Sequence, residues 1–179
     1  MNPPRRSIQE AHERFHVGLL LRTLKHNHRA NYKVAREPNP PEAIITTGKT
    51  TSWVEVVTAF WNEAYAKDQY SYATPGEKHV SIGEGSFVNM TPEFAKNFTR
   101  AVQGKLGKPS YLPFKELYGP GYLVVAIQFP FFGRYAFDWI QKEWQSSPFT
   151  DLGCFRSIYL TVPHLNDYAL IRWSPPSNA

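Results

Sequence analysis

The sequence predicts an α/β domain in which a mixed sheet is flanked by helices. Three features carry that prediction. The chain opens on an amphipathic helical pattern. Two β-rich segments are then joined by Gly48-Lys49. Beyond a second helix lies YLVVAIQF, residues 122–129, an apolar run of the kind found in strands buried on both faces. The order is helix, three strands, helix, strand, followed by a C-terminal helix and strand pair, all in one domain spanning residues 1–179.

Each element has a local reason. Residues 7–25 read as a helix opened by Ser7 and Glu10 as a capping box. Ile8, Ala11, Phe15 and Leu19 share one face, and Val17, Leu20, Leu21 and Leu24 share another, so the helix is expected to be buried on two sides. Residues 31–36 read as a strand that EPNPP breaks. Residues 42–47 and 50–57 read as a hairpin, because a two-residue loop with Gly first suits a type II′ turn. FWNEAYAKD suggests a short helix, and residues 69–90 an irregular excursion. Thr91-Pro92-Glu93 suggests a helix start, with Thr91 as N-cap, and that helix runs to about Leu106. A further helix is expected over 134–145 and a strand pair over 155–162 and 168–173.

Composition sets wide bounds. The 179 residues carry a formal charge of +5, which permits DNA or RNA as partner without requiring it. Cys154 is the only cysteine, so an internal disulfide is excluded and a reducing compartment fits. The first residues show no apolar stretch typical of a secretory signal, and no run approaches a membrane span, so the expectation is a cytoplasmic protein.

HERFH, residues 12–16, has the H-E-x-x-H spacing of zinc peptidases. His12 and His16 would share a helix side, Glu13 would act as base, and Asn62-Glu63-Ala64-Tyr65-Ala66 offers a third ligand. Position argues against it. In zincins a sheet precedes the motif helix, whereas here the strands fall between the two candidate ligand helices.

The hairpin gives a more specific signal. If Gly48-Lys49 is the turn, Thr47 faces Thr50 and Glu42 faces Glu55 on one side of the sheet. Opposed like charges destabilise a sheet by a few tenths to about 1 kcal/mol. Two converging carboxylates do suit a hard divalent cation. The alternative is that one strand ends early and both acids point to solvent.

Pro41-Glu42, a hairpin, then Glu55-Val56-Val57 resembles the PD-(D/E)XK signature of restriction-endonuclease-like proteins, whose α-β-β-β-α-β core matches the order read over residues 7–129. The resemblance implies a nuclease that hydrolyses DNA or RNA with Mg²⁺ (or Mn²⁺), with Glu42, Glu55 and the first-helix acid Glu13 around the metal. Glu10 is second choice for that last role. Val57 stands where the family has lysine, which raises the alternative of an inactive nuclease-like module that binds nucleic acid or a protein. Lys105 could replace it. It shares an apolar stripe with Phe94, Phe98 and Ala101, an expensive place for an ammonium without an acid partner. Otherwise its stem packs and its head reaches water.

Three smaller expectations complete the reading. Tyr70, Tyr72, Lys78 and His79 could stack bases and touch phosphate, or pack over the domain. Cys154 and His164 form a pair on paper, with an inert buried cysteine the simpler reading. The Trp139 and Trp144 helix suits the core or an oligomer interface, the latter implying a homodimer.

Overall fold

A computed structural model describes residues 5–74, 76–83, 88–147, 149, 151–164 and 167–176. Helix α1 (Arg5–His28) leads into β1 (Lys33–Arg36), β2 (Ala43–Thr46) and β3 (Thr51–Phe60). Helices α2 (Glu63–Ala73) and α3 (Met90–Leu106), a 3-10 turn (Pro109–Tyr111) and α4 (Leu112–Tyr118) connect β3 to β4 (Gly121–Gln128). Then α5 (Arg134–Trp144) leads to β5 (Phe155–His164) and β6 (Asp167–Trp173). The six strands form one mixed sheet in the order β1-β2-β3-β4-β5-β6. β3, β4 and β5 run parallel, and the outer pairs are antiparallel. The protein is thus an α/β fold with helices on both sheet faces.

Strand alternation divides the core. Ile44, Trp53, Leu123, Val125, Ile158 and Leu160 face α3 and α5, which contribute Phe94, Phe98, Val102, Ala136, Ile140 and Trp144. Ala43, Ile45, Val54, Val56, Val124 and Tyr159 face α1, which contributes Val17, Leu20 and Leu24. β4 is buried along nearly its whole length because both of its faces are covered. Trp144 meets Trp173 edge to face at 5.0 Å, so this part of α5 belongs to the core.

The structure corrects several expectations. α1 is covered mainly on its sheet-facing side: on the other predicted face Leu19 is buried, but Ala11 is exposed and Phe15 is 41 % exposed, with Tyr168 of β6 packed on Phe15. Ser7 lies inside α1, not at its N-cap. α3 starts at Met90 with Asn89 as N-cap, so Pro92 falls within the first turn, where its missing N–H costs no helical bond. α2 continues through Ala73 into the stretch expected to be irregular. The 3-10 turn and α4 were not anticipated. Among the described residues, no helix is long and apolar enough to cross a membrane.

Candidate functional site

The site grows from the β2–β3 hairpin. Thr47 N–H donates to Thr50 O at 3.0 Å, and Gly48 takes φ +88°, a left-handed conformation suited to glycine at the first turn position. The register follows: Ala43 pairs with Val54, Ile44 with Trp53, Ile45 with Ser52 and Thr46 with Thr51. The pairing stops there, so Glu42 lies just outside β2, which starts one residue later than expected, yet near enough to Glu55 to feel its charge. Glu55 is 1 % exposed on the face that carries Trp53 and Leu123. Lys105, in the last turn of α3, donates to Glu55 Oε1 at 2.5 Å. The apolar stripe of α3 therefore ends on a buried ion pair, which explains a lysine in that position.

Glu42 is half-buried just ahead of β2 and lies beside Glu13 of α1, whose charge and hydrogen-bonding reach act on it. Burial, then the charges of Glu55 and Glu13, push its carboxyl up to about 8, with Lys105 pulling the other way. Like charges sharing a site with little water leave one carboxyl protonated at neutral pH. Protonated Glu42 can then donate to Glu13, which also accepts from Gln9 Nε2 at 2.8 Å. Glu13, Glu42, Glu55 and Lys105 thus form one electrostatically linked cluster between α1 and α3.

Two clefts adjoin this cluster. One, of about 150 Å³, is bordered by Glu10, Glu13, Arg14, Glu37 and Glu42, with Arg14 already paired to Glu37 at 2.8 Å. The other, of about 240 Å³, is bordered by His12, Glu13, Glu42, Val57, Tyr70 and Lys105. Lys105 thus borders the cleft that Val57 also lines.

The donor chemistry fits a hard divalent cation. Glu55 Oε2 is buried and meets no hydrogen-bond donor, so one oxygen of this carboxylate is unengaged among the described residues. Glu42 and Glu13 line both clefts, and the Glu55 charge reaches Glu42. No group of three His, Cys, Asp or Glu side chains stands ready to hold a metal ion among the described residues. A cation here would rest on two or three carboxylates that adjust to it, with water or substrate completing its shell.

His12 and His16 stack edge to face, with their Nε2 atoms 3.1 Å apart. His16 is 1 % exposed, and burial followed by the His12 charge lowers its pKa to about 3. His12 is also lowered, chiefly by burial. The remaining piece of the peptidase pattern lies elsewhere. Asn62 caps α2 by accepting from Tyr65 N–H at 2.8 Å, and exposed Glu63 borders a different cleft with Glu93, Lys96 and Arg100. N-E-x-x-A is here a capping signature.

Of the other sequence candidates, Glu10 borders the first cleft. Tyr70 packs on Phe60 at 5.4 Å, whereas exposed Tyr72 stacks against His79, which pairs with Asp68 at 2.6 Å. Cys154 is buried, and the side chain of His164 lies outside the described residues. Tyr111 was missed: it is fully buried, and burial and then Glu55 push its phenol far above the usual range.

No family model matches the chain, and no curated protein or solved structure shows significant similarity to it. The geometry defines an α/β protein with a six-stranded mixed sheet and a carboxylate-lysine cluster at the β2–β3 hairpin.

Proposed function

We propose that the protein is a metal-dependent nuclease of the PD-(D/E)XK kind, hydrolysing phosphodiester bonds in DNA or RNA. The observation that carries this reading is the Lys105–Glu55 pair with Glu42 close enough to feel the Glu55 charge, because it joins two carboxylates and the cation that Val57 cannot provide. Glu42 and Glu55, with Glu13, would hold Mg²⁺ or Mn²⁺. Once bound, such an ion polarises the phosphate and lowers the pKa of an attacking water. The chain's own groups do the rest. Lys105 orients the water and offsets negative charge developing at phosphorus. Glu42 gives up its proton to solvent water as the cation binds, which leaves its carboxylate free to ligate.

The test is cleavage of plasmid DNA and of single-stranded RNA with Mg²⁺ or Mn²⁺. Glu42→Gln and Lys105→Met should each reduce cleavage at least about 100-fold, as expected for loss of a metal ligand or of a charge-stabilising group. Full activity in either variant would overturn the assignment of that residue. A second reading is an inactive nuclease-like module that binds nucleic acid or a protein. The engagement of Lys105 by Glu55 favours it, since that ammonium is not free in this state. Binding of nucleic acid without cleavage under every divalent cation tried would select it.

A further inference from the structure

Tyr111 lies behind Glu55 in the core. Its ring sits 5.5 Å from Trp53 and 5.4 Å from Phe155, and Trp53 precedes Glu55 on the same face of β3. The hydroxyl is buried and completes no hydrogen bond of good geometry, and the same holds for Glu55 Oε2. Leaving either group unsatisfied costs about 1–3 kcal/mol, and phenylalanine would fill the same space without that cost. The two orphans are complementary, a donor and an acceptor. They also sense each other: after burial, the charge and hydrogen-bonding reach of Glu55 are the main influences on the phenol.

We propose that Tyr111 is a positioning residue for Glu55, its hydroxyl donating to Oε2 while Lys105 holds Oε1. Each carboxylate oxygen has two acceptor sites, so Oε2 can take the phenol and keep a second lone pair. Held from both ends, the carboxylate cannot turn away. The consequence for metal binding rests on the nuclease reading above; the Tyr111–Glu55 contact does not. Partners that orient a metal-binding carboxylate typically contribute 10–100-fold in metal affinity or activity.

The experiment uses the full chain with tyrosine ¹³C-labelled at Cζ. Tyr111 should show a slowly exchanging hydroxyl proton, identified by its loss in Tyr111→Phe and displaced in Glu55→Gln. A signal unmoved by Glu55→Gln, or one that exchanges as fast as an exposed phenol, overturns the proposal. Calorimetric titration with Mn²⁺ alone should then show about 10–100-fold weaker binding by Tyr111→Phe at unchanged near-ultraviolet circular dichroism. Equal affinity overturns it. Phe155→Leu loosens the same packing but keeps the hydroxyl, and should lower thermal stability while retaining Mn²⁺ affinity. If it loses affinity as Tyr111→Phe does, packing is responsible and the proposal fails. A wild type that neither binds Mn²⁺ nor cleaves nucleic acid removes the nuclease reading, and the hydroxyl signal still decides the Tyr111–Glu55 contact.

Discussion

Glu55 is an ionisable side chain on a sheet face otherwise built from Trp53, Val57 and Leu123, and Lys105 makes that position tenable. A buried ion pair adds little net stability, because desolvation offsets most of the attraction, but removing one partner strands the other. Lys105→Met should therefore lower the unfolding free energy by about 3 kcal/mol, the low end of the range for broken buried pairs, because 21 % of the lysine side chain remains exposed. Pairing it with Glu55→Leu should recover most of that loss. Urea unfolding of both variants checks this, and an unchanged midpoint for Lys105→Met would show that the pair carries no structural weight. The sequence made this residue pair accessible for two reasons. A two-residue turn sets the pairings of its hairpin as far as Ala43 with Val54, which placed Glu55 on β3 and left Glu42 just ahead of β2. A charge on an apolar helical stripe demands an acid, which gave Lys105 its alternatives. Tyr111 was not legible, because nothing local in PSYLP says that its phenol is buried within reach of the charge of Glu55, on a strand far back in the chain.

At the scale of elements, the central strands and main helices followed from periodicity, whereas boundaries and short connectors did not. α2 outran its expected end because Tyr70 packs on Phe60 and Ser71 Oγ accepts from Val80 N–H at 2.9 Å, tertiary contacts that override a turn-rich composition. The 3-10 turn and α4 are too short for a periodic signal. Asn62 shows how a cap can imitate a catalytic motif: Asn62→Ala should cost about 1 kcal/mol with no effect on metal content. Gly121 illustrates close approach at the start of β4. A Cβ there would stand 2.4 Å from the Trp53 ring, which is fully buried and donates from Nε1 to Gly119 O at 2.9 Å. Gly121→Ala should destabilise by about 1–3 kcal/mol through overpacking, and it should disturb the strand that carries Glu55. A thermal midpoint equal to that of the wild type would mean that the ring moves aside freely.

Over the whole molecule, two groups bend stability with pH in opposite senses. His16 has a folded value of about 3 against 6.5 unfolded, so the unfolded chain takes up the proton first, and stability falls as pH drops from 6.5 toward 3. Glu42 has a folded value of about 8 against 4.5. The folded protein keeps a proton that the unfolded chain has released, so this contribution is complete below 4.5 and is lost as pH rises through 8. His16→Asn should then melt higher than wild type at about pH 4, and Glu42→Gln should gain on wild type at about pH 9 but not at about pH 5. Melting differences that do not change with pH would refute these assignments. The nuclease reading adds a sharper consequence, because a cation and a proton compete for Glu42. A ligand that binds only the folded state stabilises it in proportion to RT ln(1 + [L]/Kd), so Mg²⁺ should raise the melting temperature more at about pH 9 than at about pH 5. That difference should vanish in Glu42→Gln, which has no proton to displace. Equal stabilisation by Mg²⁺ at both pH values in the wild type would place the cation away from Glu42, and the carboxylate cluster would then owe its arrangement to the Lys105 pair alone.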